Sequence, residues 1–360
     1  MHIKNLSLTN YKNLSSESFN FSAPINCFVG KNGVGKSNVL DSIYHLAFGK
    51  SFFNPKTIQN IQFNKDFFII EAKFIINSRS EKITCSFKKG QKKILKRNGK
   101  IYDKISEHIG LIPLVIISPN DSDLITEGSL VRRKFLDSIL GQIHKDYLIN
   151  LLKYNKVLAQ RNSLLKYFAL NHTYDQKTIS IYNEQLETLG FPIFQKRKEF
   201  MEKFVPIFKN RYEALSNSKE KVSLRYFSGL NQNSFSDLFI QSINKDRTLQ
   251  FTSEGIHKDD LHFLIHNKAI KQFGSQGQKK TYLIALKIAQ FDYLKTLKGV
   301  SPIVLLDDIF DKLDQGRVTN LIKLMLEENF GQLFLSDTHE KRTLDALNSI
   351  KSKFEIFRLN

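Results

Sequence analysis

Gly30-Lys31-Asn32-Gly33-Val34-Gly35-Lys36-Ser37 fits the pattern G-x-x-x-x-G-K-S, with a strand-like run before it and a helix-like run after it. Each residue type there has a physical task. The glycines permit backbone angles in which successive N–H groups point inward at phosphate oxygens. A helix opening near Lys36 adds the positive end of its dipole. Lys36 then reaches the β- and γ-phosphates as a catalytic candidate, and the Ser37 hydroxyl is a candidate ligand of Mg2+. All eight residues, with Asn38 on the first helical turn, are candidate nucleotide contacts.

Upstream of this loop, Ile3, Leu6 and Leu8, then Ile25, Cys27 and Val29, alternate as short strands do. Downstream, Val39, Leu40, Ile43, Leu46 and Ala47 recur at helical spacing. Further strand-like runs at 67–76, 82–87 and 113–117 extend this to a mixed sheet laid over a helix. Pro302-Ile303-Val304-Leu305-Leu306-Asp307-Asp308 is a buried strand that ends in two carboxylates. A nucleotide–Mg2+ site needs this opposite a phosphate loop: Asp307 holds the metal through a water, and Asp308 polarises the attacking water as the second catalytic candidate. The acidic pair lies 271 positions beyond Lys36, which calls for a large insertion in a compact core.

That insertion reads as helical. From 127 to 217 apolar residues recur at three and four, as in Phe135, Ile139 and Ile143, with Gly190-Phe191-Pro192 as a break. Strand-like runs return at 222–227, 249–252 and 261–265, before a long amphipathic helix at 278–298. Helix 316–328 and strand 332–335 follow. Ser275, Gly277 and Gln278 open the long helix as a second anion site: Ser275 caps it, and Gly277 lets a backbone approach. Nothing forces the two anion sites to meet within one subunit. The arrangement suggests that a second protomer closes over the first protomer's γ-phosphate, with ATP bridging a two-fold dimer. The expected architecture is α/β: residues 1–125 form the first part of an ATPase lobe, 126–217 an inserted helical arm, and 218–360 the second part of the lobe.

The composition narrows the partner. The chain has 360 residues and a formal charge of +19, from 54 Lys+Arg against 35 Asp+Glu. No run nears 18 consecutive apolar residues, and the first residues do not read as a secretory signal. Two cysteines are too few for a disulfide framework, which points to a reducing cytoplasm. Such positive charge calls for a polyanion, and no basic amphipathic helix flanks a lipid anchor, so nucleic acid fits better than a membrane. Residues 73–104 hold eleven Lys+Arg against two acidic residues. Lys88, Lys89, Lys92, Lys93, Lys96 and Arg97 are the candidate DNA contacts. Few aromatics interleave them, which favours backbone tracking over base stacking. In the arm, Arg132, Arg133 and Lys134 are further basic candidates, for capping or interlocking subunits.

Together these residues resemble an ABC-type ATPase head, and within that class the RecF family, whose heads are SMC-like. The resemblance covers most of the chain: 35–38, 117–121, 132–137, 255–261, 274–278 and the acidic run 305–314. It implies an ATP-dependent DNA-binding protein that dimerises with ATP on DNA and uses slow, DNA-dependent hydrolysis as a release switch. It implies ATP and Mg2+ as cofactors. The implied partners are duplex DNA and single-strand/duplex junctions, with RecO and RecR, in loading recombinase at gaps during replication, repair and the SOS response. By the same resemblance Ser275, Gly277 and Gln278 act in trans, and Asp311-Lys312-Leu313-Asp314 crosses the dimer interface.

The sequence departs from these patterns at several places. Asp308 stands where the broad ABC class has Glu, as RecF-like chains also do. Lys12 replaces the Arg that packs on adenine in the family, making Lys12 a candidate ATP contact. Ile256 and Lys258 replace Pro and Arg. No glutamine marks the metal-sensing loop, whose place 118–121 takes. His339, after strand 332–335, is a candidate γ-phosphate sensor. Two other classes share the phosphate loop. A transporter's ATP-binding subunit fits poorly with the helical insertion and the basic charge. An SMC-like structural clamp needs a far longer arm than about ninety residues allow.

Overall fold

Alternation of buried and exposed residues, clearest in β4, builds an antiparallel sheet from β1 (His2–Tyr11), β2 (Leu14–Asn20), β4 (Phe67–Ile76), β5 (Arg79–Lys88), β6 (Ile94–Arg97) and β7 (Lys100–Ile101). Its order is β2-β1-β4-β5-β6-β7. Ile3, Leu6, Leu8, Phe68, Ile70, Ile83 and Cys85 line its covered face. The computed structural model describes residues 1–216, 220–308, 322, 330–350 and 352–360. It divides into two units, Met1–Asp121 with Gln290–Asn360, and Ser122–Ala289.

The first unit holds a second, parallel sheet. Its strands are β3 (Ile25–Val29), β8 (Leu114–Ile117), β12 (Ile303–Leu306), β13 (Leu333–Asp337) and β14 (Phe354–Arg358), in the order β14-β3-β13-β12-β8. Every residue of β3, β8, β12 and β13 is buried, as parallel strands covered on both faces require. The strands read in sequence as one mixed sheet are therefore shared between an antiparallel and a parallel sheet. Neighbouring strands joined by short turns pair antiparallel, whereas the parallel sheet gathers strands from both ends of the chain. Helix α1 (Lys36–Phe48) packs against strands of both. The Gln332 side chain pins the seam, accepting from the Ile3 N–H at 2.6 Å and donating to the Ile3 carbonyl at 3.0 Å, as a neighbouring strand would.

The second unit contains the helical arm but reaches beyond it to Ala289. After the single-turn α2 (Asp123–Thr126) come α3 (Ser129–Ile143), α4 (Lys145–Leu170) and α5 (Gln176–Ser216). Contrary to the break read at 190–192, α5 runs on through Pro192 and Pro206. Gly190 serves packing instead: a Cβ there would lie 2.4 Å from Phe235 Cζ and 3.1 Å from Tyr154 Cε2. The strands β9 (Val222–Phe227), β10 (Asp260–Ile265) and β11 (Lys268–Ala269) form a small antiparallel sheet. Residues 249–252, read as a strand, instead close α6 (Phe235–Leu249), with Gln250 at a left-handed φ of 58°. The single-turn α7 (Ile270–Phe273) leads to α8 (Gln276–Lys298), and α9 (Glu340–Asn348) precedes β14. The loop Asp311–Asp314 and helix 316–328 lie outside the described residues, Ile322 apart.

Candidate functional site

The turn from β3 into α1 is shaped by two glycines. Gly33 takes a φ of 87° and Gly35 one of 111°, both in the left-handed half of the map. At Gly35 space adds to angle, since a Cβ would lie 2.6 Å from Leu14 Cδ2. Asn38, expected as a nucleotide contact, donates to Asn13 Oδ1 at 2.7 Å, and Asn13 in turn donates to the Gly33 carbonyl at 2.8 Å. These two asparagines brace the loop. Lys31, Asn32 and Gly33 form its exposed tip, and Val34 is half-buried. The Lys36 ammonium is buried and folds back on its own loop, donating to the carbonyls of Gly30 and Lys31, both at 2.9 Å.

Because β3, β8, β12 and β13 run parallel, their carboxyl ends share one edge, where ligands of open α/β sheets bind. Asp307 leaves β12 with its N–H donating to the Ile117 carbonyl at 2.8 Å. Its carboxylate is buried and accepts from the Ser336 hydroxyl at 2.7 Å, with the Ser37 hydroxyl near enough to favour its ionised form. Burial pushes this carboxyl above the ordinary aspartate range, while the Ser37 and Ser336 hydroxyls and the Lys36 charge pull it back. Asp308 sits at a left-handed φ of 43°, and its N–H donates to Ser336 Oγ at 2.9 Å. The 118–121 turn follows β8 on the same edge, with Ser118 N–H donating to Asp121 Oδ2 at 2.8 Å. The Ser118 hydroxyl is buried with no partner among the described residues. His339 is exposed just past β13, in a turn anchored by Asp337, which accepts from Thr343 Oγ1 at 2.6 Å and from Arg342.

This donor set fits a phosphate-bound Mg2+. Among the described residues no cluster of three or more His, Cys, Asp or Glu exists to cage a metal. Magnesium bound with a nucleotide needs only one or two protein oxygens, the phosphates and water supplying the rest. Ser37 and Asp307 provide a hydroxyl and a carboxylate whose burial a cation would offset.

Lys12 is placed differently from an adenine-packing side chain. Its ammonium forms a buried ion pair with Asp41 at 2.6 Å and stands 5.3 Å over the Phe53 ring. Asp41 also accepts from Tyr11 Oη at 2.8 Å, Ser51 Oγ at 2.6 Å and the Phe52 N–H at 2.6 Å. A cleft of about 550 Å3 beside the loop is lined by Lys12, Asn13, Asn38, Asn54, Gln62 and Phe63, among others. The Phe63 ring is 87% exposed there.

In the second unit, Ser275 and Gln278 form a reciprocal capping box. The Gln278 N–H donates to Ser275 Oγ at 3.2 Å, and the Ser275 N–H donates to Gln278 Oε1 at 2.7 Å. Gln278 also donates to Glu220 Oε1 at 2.6 Å, so its amide is held within its own chain. Ser275 is exposed, and Gly277 half-buried, at the mouth of α8.

The six candidate DNA contacts divide. Lys88 and Lys92 are exposed, Lys96 is half-buried, and Lys89 pairs with exposed Asp66 at 3.2 Å. Lys93 and Arg97 turn to the other side. The Lys93 ammonium donates to the Gly49 carbonyl that closes α1, and burial lowers its pKa. Arg97 holds buried Glu81 in a fork, with bonds of 2.9 and 2.6 Å.

Reasoning from sequence missed Ser336 and Asp41, which organise the site from behind; a lone Ser or Asp in a helix or strand carries no motif. It also left open what residues 132–137 and 255–261 do. Arg132 forks Asp260 at 2.6 and 2.9 Å, and Arg133 donates to the Asp259 carbonyl at 2.7 Å. Arg197, 1% exposed, bonds Asp259 Oδ2 at 2.6 Å and Asp137 Oδ1 at 2.8 Å. The two motifs thus form one charge network binding α3, α5 and β10, and Arg132 and Arg133 are spent inside their own unit.

Comparison with known proteins gives the family. Residues 2–356 match the family described as RecF/RecN/SMC N terminal domain. The DNA replication and repair protein RecF of Flavobacterium johnsoniae is 58% identical over 359 residues, covering 100% of both chains. That of Bacteroides thetaiotaomicron is 44% identical, covering 100% of this chain and 97% of its own. A solved RecF–ATP structure, of the recombination mediator protein of the RecFOR pathway, superposes with a TM-score of 0.89 at 29% identity, over 99% of this chain and 95% of that one. An SMC head bound to the C-winged helix domain of ScpA gives 0.55 at 18% identity, over 96% of this chain and 92% of its own, and shares the fold alone. Among the described residues no helix is long and apolar enough to cross a membrane. With its phosphate loop, its acidic strand end and its full-length relatives, this chain belongs to the RecF family.

Proposed function

We propose that the protein is an ATP-switched, DNA-binding member of the machinery of DNA replication and recombinational repair, acting as a two-fold dimer. The observation that carries this reading is the buried Asp307 carboxylate on the strand edge that also carries the phosphate loop, whose lysine is already turned inward. In the proposed cycle the Lys36 ammonium exchanges the Gly30 and Lys31 carbonyls for phosphate oxygens. Ser37 and Asp307 hold Mg2+, which when bound neutralises charge on the phosphates. Asp308 accepts the proton of the attacking water at its carboxylate, and His339 stands near the γ-phosphate end.

Ser275 and Gly277 of a second copy close the site by offering the N-terminus of α8 to the phosphates. Gln278 then supports Ser275 rather than touching nucleotide. Hydrolysis loosens the pair, and the cycle serves DNA binding with RecO and RecR in loading recombinase at gaps. RecFOR-pathway membership of the RecF–ATP structure supports that assignment.

Sedimentation with and without MgATP and duplex DNA tests the reading. Monomers without nucleotide and dimers with MgATP are expected, with DNA sedimenting with the dimer. Ser275→Arg is expected to stay monomeric while still binding ATP. A Ser275→Arg protein that dimerises normally with ATP overturns the trans arrangement.

A further inference from the structure

Strand pairing sorts the lysines of the antiparallel sheet onto one face. Lys73 lies directly opposite Lys82, and Lys96 is opposite Thr84. Lys88 follows Lys82 on the same side of β5, three steps of two residues along. Between buried Ile3 and Leu6 the pairing slips, so that Lys4 and Asn5 both come out on the exposed side, as a bulge allows. Five lysines therefore share this face with one carboxylate, Glu71.

Two features mark the face as a site for an outside anion. Like charges directly opposite on neighbouring strands are unfavourable, yet Lys73 faces Lys82. Glu71 relieves only Lys82, at 2.7 Å. Lys4, Lys73, Lys88 and Lys96 have no ion pair among the described residues. Beside the lysines, β1 and β2 carry small polar groups that bond phosphate oxygens, Asn5 opposite Asn20 and Ser7 opposite Ser18, while Phe67, Ile69 and Ile75 share this side of β4.

We propose that this outer sheet face docks the phosphate backbone of duplex DNA, an assignment that rests on the DNA-binding reading above. Its lysines fall on a grid of about 4.8 Å across strands and about 6.8 Å along them. That grid can follow a backbone carrying one charge every ~3.4 Å of axis on each strand. Phe67 at one end and His2 at the edge are isolated rings, so successive bases have no stacking platform and duplex is favoured over single strands. Its exposed apolar residues, Phe67 and Ile69, are outnumbered by the five lysines, and lysine is what the centre of a protein interface is depleted of. Lys93 and Arg97, turned to the other side, take no part.

The test is fluorescence anisotropy with a labelled duplex, in MgATP, across 50–200 mM KCl. It compares the native protein, the triple variant Lys4→Gln/Lys73→Gln/Lys96→Gln, and a control triple Lys153→Gln/Lys156→Gln/Lys166→Gln on α4. The sheet variant is expected to lose about tenfold in affinity or more and about two to three units of salt slope. ATP binding and the thermal midpoint should stay in place. Equal losses in the control would mean bulk charge and overturn the surface. Native affinity and slope in the sheet variant overturn it too, leaving DNA binding intact but elsewhere. If that variant instead loses only binding of a poly-glutamate peptide, the face belongs to an acidic protein. Failure of the native protein to bind duplex at any salt removes the functional reading itself.

Discussion

Ser336 stands between the two carboxylate residues: its hydroxyl donates to Asp307 Oδ1 at 2.7 Å and accepts from the Asp308 N–H at 2.9 Å. One side chain on β13 thus sets both the charge of the proposed metal ligand and the left-handed backbone of the proposed base. Ser336→Ala removes a bond that favours ionised Asp307, whose carboxyl burial already holds high. Mg2+ requires the carboxylate, so acid should weaken MgATP binding at a pH above the ordinary aspartate range, and Ser336→Ala should move that fall higher still. Titrating MgATP affinity against pH in the two proteins checks this; an unmoved acid limb would detach Ser336 from the site.

Lys36 has a second prediction attached. Its ammonium must leave two carbonyls at 2.9 Å to reach phosphate. Lys36→Arg keeps the charge, but the planar fork cannot occupy both settings. Binding of ATP should persist weakly, while turnover should fall at least ~100-fold, as for loss of a transition-state charge contact. Steady-state hydrolysis at wild-type rate would contradict the assignment.

The Arg197 network should behave as a buried ion cluster does. Arg197→Met leaves Asp259 and Asp137 without their guanidinium, and burial already raises the Asp259 carboxyl. Breaking such a pair from one side is expected to lower unfolding free energy by about 3–5 kcal/mol in urea denaturation. A loss under 1 kcal/mol would mean the network is open to water.

Two histidines should make the fold sensitive to acid. His257 bonds the Thr252 carbonyl through Nε2 at 3.0 Å and His108 the Leu46 carbonyl at 2.7 Å, so each carries its proton on Nε2. Each then accepts at Nδ1 from a tyrosine, Tyr154 and Tyr102. Burial pushes both down to about 4. The unfolded chain takes up protons near pH 6.5 and the folded one does not, so stability present above 6.5 is lost as pH falls toward 4. The loss is on the order of 2 kcal/mol per histidine by pH 5. His257→Gln should be less stable at pH 7 yet decline less between pH 7 and 5, read from thermal midpoints.

The sequence was readable where one period dominated. Strand β12 stands out as an unbroken apolar run, helix α8 by its amphipathic spacing, and the phosphate loop by residues that only an anion site needs together. It was unreadable where tertiary packing overrode a local signal. Gly190 and Pro192 look like a stop, yet the glycine makes room for Phe235 and the helix continues. Helix α6 escaped notice because its sparse apolar residues are held by a Ser234–Asp237 capping box, and Leu249 reads as strand only when separated from it. At the site, Lys12 looked available because its partner Asp41 lies 29 positions away on α1. Lys93 and Arg97 looked like their neighbours because a strand's two sides are invisible in a count of charge.

The stem of the phosphate loop, β3, is hydrogen-bonded on one side to β13 and on the other to β14. On the ribosome, then, Ile25–Val29 emerges early and waits for partners made more than three hundred residues later. Until Phe354–Arg358 is made, one edge of this apolar segment has no strand to pair with. Pairing across such a distance in sequence forms slowly, so this parallel sheet is expected to close late in folding.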